Sequence, residues 1–162
     1  MTARTTADID ISVPNGQVGY GTLLDIFNKG PFIQYKDNRY FYVHSSGNFV
    51  EVDGIIAGWQ NFPKLTEAKI IKAGPQMQLN FLEPAGLLRL KLASWASPTR
   101  RTGPKRNGDM SDTTSIRDLL IDNNRRVSLK GLDGDAAVGL KAWVKEFRDL
   151  NKWQLLDPSY KG

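Results

Sequence analysis

Between Phe32 and Val52 the chain reads FIQYKDNRYFYVHSSGNFVEV, dense in aromatic and β-branched residues and interrupted at Asp37-Asn38 and from Ser45 to Asn48. Those residue types fit a pleated surface, and the interruptions are turn formers. The stretch predicts strand, turn, strand, turn, strand. A meander of this kind pairs its neighbours antiparallel, and that limits the fold more than any other feature of the chain.

The flanking segments add short elements. Ile9, Ile11 and Val13 alternate with polar residues ahead of Pro14-Asn15-Gly16, the period of a half-buried edge strand or N-terminal arm. GTLLDIFNKGP predicts a short helix with Thr22 as its cap, Leu23, Ile26 and Phe27 on one face and Gly30-Pro31 as its stop. LTEAKIIKAGP predicts a second short helix, with Thr66 to cap it and Gly74-Pro75 to stop it. QMQLNFLEPAGLLRLKLASW predicts a hairpin, Met77 to Glu83 and Leu87 to Trp95, because Leu88, Leu90 and Leu92 alternate with Arg89 and Lys91.

Beyond the hairpin, SDTTSIRDLLIDNNRR places Ile116, Leu119 and Leu120 at helical spacing, and VSLKG suggests a brief strand. The last predicted helix is the strongest, with Val138, Trp143, Val144, Phe147 and Leu150 as an apolar stripe behind an N-cap at Asp135. No repeat or heptad pattern is present. The strands cluster as hairpins and not as β-α-β units, so the expected class is α+β. We expect a mainly antiparallel β-sheet built from hairpins, with three to four helices and the longest near the C-terminus.

At 162 residues with 40% hydrophobic side chains, the chain is expected to form a single domain, 1–162. Its expected extensions are an N-terminal arm at 1–16, a basic loop at 96–112 and a C-terminal tail at 154–162. The N-terminal residues lack the apolar core of a signal sequence, and no window has the roughly 18 apolar residues of a membrane span. The expected location is therefore the cytoplasm or a virion, with no membrane partner.

Zero cysteines exclude disulfides, cysteine zinc sites, iron–sulfur ligation and thiol nucleophiles. A single histidine, His44, prevents a two-histidine metal site within one chain, and no serine nucleophile motif accompanies it. GQVGYG matches no phosphate-cradling spacing. Asp133 and Asp135 begin like a calcium loop, but Val144 stands where the bidentate glutamate belongs. Asp8 with Asp10, and Asp118 with Asp122, read as solvated strand and helix faces. No catalytic residue, cofactor or metal is expected.

Two surface features remain. Tyr35, Arg39, Tyr40, Tyr42 and His44 are candidates to line one sheet face on which unpaired bases would stack. The stretch ASPTRRTGPKRNGDMSD carries Arg100, Arg101, Lys105 and Arg106, which together with Arg125 and Arg126 would neutralise several phosphates. Residues 100–162 hold thirteen Lys/Arg against nine Asp/Glu, so four of the five excess positive charges fall there.

Without catalytic equipment, and with arm, loop and tail lacking a core of their own, the sequence leads to a structural reading. We expect a non-enzymatic assembly subunit of a larger particle, a virus or phage virion component. It would contact neighbouring copies or other subunits, and packaged nucleic acid through the basic loop. Four tryptophans and five tyrosines suit extensive interfaces. The alternative is a monomeric single-stranded nucleic-acid-binding module that uses the tyrosine face and the basic loop.

Overall fold

The computed structural model describes residues 8–13, 19–56, 70–72, 80–100, 102–132 and 134–162. It divides into two compact units, Met1–Glu67 and Ala68–Gly162, each with its own apolar cluster.

The first unit is a four-stranded sheet with one helix. Its elements are β1 (Asp8–Val13), α1 (Tyr20–Lys29), β2 (Ile33–Lys36), β3 (Arg39–Val43) and β4 (Phe49–Ile56). The meander is borne out: β2 pairs with β3 and β3 with β4, both antiparallel. The β2–β3 connection is two residues long, and Asp37 and Asn38 both take positive φ, 52° and 60°. That is the signature of a type I′ turn, whose twist matches the flanking strands and which Asp and Asn tolerate best among residues with a Cβ. The sheet order is β1-β4-β3-β2, and β1 runs parallel to β4. The sheet is therefore mixed. β1 and β2 run in the same direction and are joined through α1, a β-α-β crossover where only hairpins were expected.

Helix α1 begins after Gly19 with no side-chain cap, which leaves Thr22 inside the first turn, and it ends at Gly30 as expected. Leu23 and Phe27, one turn apart, bury themselves against Val52, with Val13, Ile33, Tyr40 and Tyr42 around them. Alternation along β4 puts Glu51 and Asp53 on the opposite face from Val52.

The second unit begins with an antiparallel pair, β5 (Ile70–Lys72) and β6 (Asn80–Leu82). The helix expected over 65–75 is thus a strand at 70–72, and the remainder of that segment lies outside the described residues. Residues 77–79 of the predicted hairpin's first strand also lie outside them, whereas its second strand is helix α2 (Pro84–Ala96). The run GLLRLKLASWA contains a period-2 leucine pattern and a helical one at once, since Leu88, Leu92 and Trp95 are spaced by four and three. It holds no β-branched residue, and Leu, Arg, Lys and Ala rank high as helix formers. Pro84 fits the first turn. Leu88, Leu92 and Trp95 are buried, and the helical pattern prevails.

The basic loop is also largely helical. Pro98–Arg100 form a 3-10 turn, and α3 runs from Pro104 to Asp122. At 19 residues it is the longest helix, in place of the expected C-terminal one. Its buried positions are Asp109, Thr113, Arg117 and Leu120, at spacings of four, four and three. The helical period was present in the sequence, but polar residues carry it.

VSLKG forms no strand. Val127 N–H donates to the Leu156 carbonyl and Leu129 N–H to the Asp157 carboxylate, which pins the loop to the chain's end. The final helix is two helices, α4 (Gly134–Phe147) and α5 (Leu150–Leu156), separated at Arg148, whose φ is 54°. Asp135 lies in the first turn of α4 instead of capping it. There are five α-helices among the described residues.

Trp95, Trp143 and Trp153 are at most 2% exposed and form the core of this unit with Leu92, Leu140 and Leu156. Three of the four tryptophans therefore hold this chain together; Trp59 lies outside the described residues. The expected free tail is likewise packed, with Leu156, Asp157 and Tyr160 buried. No helix among the described residues is long and apolar enough to cross a membrane.

Candidate functional site

The tyrosine face is occupied by the protein itself. Tyr40 and Tyr42 pack toward α1, and the Tyr40 ring meets Phe27 edge to face at 5.2 Å while its hydroxyl donates to Asn28. Tyr35 stands opposite Tyr40 in register, half-exposed, with its ring 4.9 Å away and its hydroxyl on Asn38. Arg39 projects on the other face, where its Nη1 lies 2.9 Å from Glu51 Oε2. His44 Nδ1 is 2.8 Å from Ser46 Oγ and accepts from the Ser46 N–H, closing its turn. Tyr40 and Tyr42 of the expected stacking surface are thus partly buried against the apolar cluster, while Tyr35 and His44 remain exposed.

The cations are drawn into ion pairs and caps within the chain. Arg100 pairs with the buried Asp109 at 2.7 Å, and Lys91 lies 3.7 Å from the same carboxylate and 2.9 Å from Asp112. Arg106 reaches Glu146 at 2.8 Å while its guanidinium lies 4.4 Å from the centre of the Trp95 ring. Arg125 pairs with Glu83 at 2.7 Å, and Arg126 donates to the Leu155 carbonyl. Lys105 is exposed, and Arg101 lies outside the described residues. Among the described residues, four of these cations thus have a partner within the chain.

A different constellation emerges on the open face of the first sheet. Parallel pairing sets Asp8 beside Glu51 and Asp10 beside Asp53. Each strand carries carboxylate, apolar residue, carboxylate, so the pleat puts all four acids on one face and Ile9 and Val52 on the other. A sequence of this pattern on a lone edge strand reads as a solvated face. Only the β1–β4 register doubles it, and no local signal announces a parallel pairing between residues some forty positions apart.

On the same face Phe41 stands opposite Glu51, and Phe49 lies two residues before it. The Phe41 and Phe49 rings meet edge to face at 6.0 Å, and Phe49 is 53% exposed. The oxygen-only donor set suits a hard divalent cation such as magnesium. The carboxylates are nonetheless spread, and among the described residues no three acidic or histidine side chains converge closely enough to hold an ion.

No protein-family model matches the sequence, and no curated protein matches it. Among solved structures, the chain is similar to the crystal structure of an antigenic nucleotidyltransferase-like protein from Paracoccidioides brasiliensis. The TM-score is 0.68 at 16% identity, over 97% of this chain and 77% of that one. The two share a fold.

That likeness overturns the expectation of a virus or phage structural subunit. Of the segments that motivated it, residues 8–13 of the arm form a sheet strand, the loop is largely helical and the tail is part of a core. The alternative of a single-stranded nucleic-acid module built on the tyrosines and the basic loop falls with it, since Tyr40 and Tyr42 pack partly against the apolar cluster and carboxylates pair much of the loop. A shared fold is not an activity, so whether the chain is an enzyme turns on the carboxylate face.

Proposed function

We propose that this chain is a nucleotidyltransferase: it binds a nucleoside triphosphate with its divalent cation on the open face of the first sheet and transfers the nucleoside monophosphate to a hydroxyl acceptor. The observation that carries the reading is the in-register pairing of Asp8-Ile9-Asp10 with Glu51-Val52-Asp53, in a fold shared with a nucleotidyltransferase-like protein. Asp10 and Asp53, side by side in register, are the residues that would hold the cation together with the nucleotide's own phosphates. Glu51, held by Arg39, would stand behind them.

The chemistry fits these groups. Phosphoryl and nucleotidyl transfer need little covalent help from a protein, and catalysis consists mainly of positioning and of neutralising charge on the phosphate oxygens. A bound divalent cation supplies that neutralisation and a template for the triphosphate. The side chains of this chain contribute the negative potential that attracts the cation, and a rigid sheet that fixes their spacing. Phosphate alone would be repelled by such a face, so the reading requires the metal–nucleotide complex and not the free nucleotide.

The test is pyrophosphate release from ATP, GTP, CTP and UTP in the presence of magnesium, with a short RNA and glycerol supplied as hydroxyl acceptors. Release with at least one triphosphate is expected, reduced at least a hundredfold in Asp10→Asn and Asp53→Asn variants that remain folded. Equal release by the wild type and both variants, or none with any triphosphate, would overturn the assignment.

A further inference from the structure

On the face that carries the four carboxylates, the only large exposed ring of β3 or β4 is Phe49, backed edge to face by Phe41. Phe49 precedes Glu51 by two residues and Asp53 by four, roughly 7 and 13 Å along the strand at the usual rise per residue. Nothing among the described residues seats Phe49 in a core: the apolar cluster of this unit lies on the opposite side, around Leu23, Phe27 and Val52. A phenylalanine left in water at this place, held by a neighbouring ring and aligned with a row of acids, has the form of a flat platform at a fixed distance from a cation site.

We propose that the Phe41–Phe49 pair is the nucleobase platform of this chain: the base of the bound triphosphate stacks on Phe49 while its phosphates, with their cation, reach Asp10 and Asp53. The inference rests on the nucleotidyltransferase reading and adds to it where the base sits. Occupancy by a nucleobase follows from two properties of the surroundings. An aromatic face attracts a second π-system, and the separation from the carboxylates is of the order of a nucleotide's own length, so one molecule spans both. Stacking of this kind accepts every base, because each has a π-face, so the platform confers affinity for nucleotides without choosing among the four.

The experiment compares binding of manganese–ATP with manganese–tripolyphosphate, which has the phosphates and no base, by calorimetry on the full chain. Wild type is expected to bind manganese–ATP more tightly than manganese–tripolyphosphate. Phe49→Ala is expected to lose roughly tenfold in affinity for ATP and to bind tripolyphosphate as wild type does, whereas Phe49→Tyr is expected to keep the affinity for ATP. Phe49 is exposed, so neither substitution empties a core. Equal binding of the two ligands by wild type, or unchanged ATP binding by Phe49→Ala, would overturn the platform. Failure of the carboxylate reading looks different: ATP binding that depends on Phe49 but ignores manganese and Asp10→Asn would keep the platform and discard the cation site. Binding of neither ligand would discard both.

Discussion

Arg117 and Asp149 form a buried ion pair that ties α3 to the junction of α4 and α5, with Arg117 Nη1 2.6 Å from Asp149 Oδ2 and the arginine side chain 2% exposed. The carboxylate also accepts the indole N–H of Trp143 at 3.1 Å and that of Trp153 at 3.0 Å. Arg117 in turn meets Asp118 at 2.9 Å and lies over the Trp153 ring. One acid thus satisfies three buried donors from three helices. Its position just after Arg148 explains why the chain breaks its helix there: a continuous helix would carry Asp149 past these partners.

Asp149→Ala should therefore destabilise the second unit by about 3–5 kcal/mol, the usual cost of leaving a buried charge without its partner. Denaturant unfolding followed by tryptophan fluorescence reads it directly, because two of the orphaned donors are indoles. Asp118→Ala, which removes an ion pair with a more exposed acid, should cost about 1 kcal/mol or less.

Gly139 marks the crossing of α2 and α4. A Cβ built there would run into the Leu92 backbone carbonyl. In an open helix Gly→Ala gains up to about 1 kcal/mol from propensity. Here the clash is with backbone and not with the end of a flexible side chain, so overpacking at about 1–3 kcal/mol or more decides the sign. Gly139→Ala is expected to lower the midpoint of thermal unfolding. A rise would show that the two helices can separate at no cost.

Asp157 accepts hydrogen bonds from the Ser159 hydroxyl and from the Leu129 and Ser159 N–H groups. Its carboxyl is held below its ordinary value, chiefly by the Ser159 hydroxyl and then by the Leu129 N–H. A depressed folded-state pKa contributes stability that is present above the unfolded value and lost as pH falls through the folded one. The loop Val127–Leu129 and the chain end should therefore loosen below about pH 4, near and beneath the unperturbed carboxylate value. Asp157→Asn removes this ionisation, so the stability of wild type should fall more steeply between pH 5 and pH 2 than that of the variant. Parallel pH profiles would contradict the linkage.

The meander was legible because its determinants are local: strand-forming side chains, and turn residues able to take positive φ at Asp37 and Asn38. Helix α1 and its stop at Gly30 were legible for the same reason. Helix α2 was not legible because Leu88 and Leu92 fit a period of two with Leu90 and a helical period with Trp95, and only packing against α3 and α4 selects one. The second half of helix α3 was legible in the spacing of Ile116, Leu119 and Leu120, whereas its first half, in the expected basic loop, was hidden because the buried stripe runs through the polar residues Asp109, Thr113 and Arg117, whose burial depends on partners elsewhere in the chain. The candidate site was the least legible feature. Asp8 and Asp10 were visible as a pair and Glu51 and Asp53 lay in the meander, but their meaning comes from a parallel register that joins two distant segments.

That register is the centre of the account, and the measurement that tests it most directly is paramagnetic broadening of amide resonances by substoichiometric manganese–ATP. Broadening centred on residues 8–10 and 51–53, and absent in Asp10→Asn, is the result predicted. Broadening centred on the helical unit, or none at any residue, would contradict the claim that the paired carboxylates of β1 and β4 form the nucleotide site.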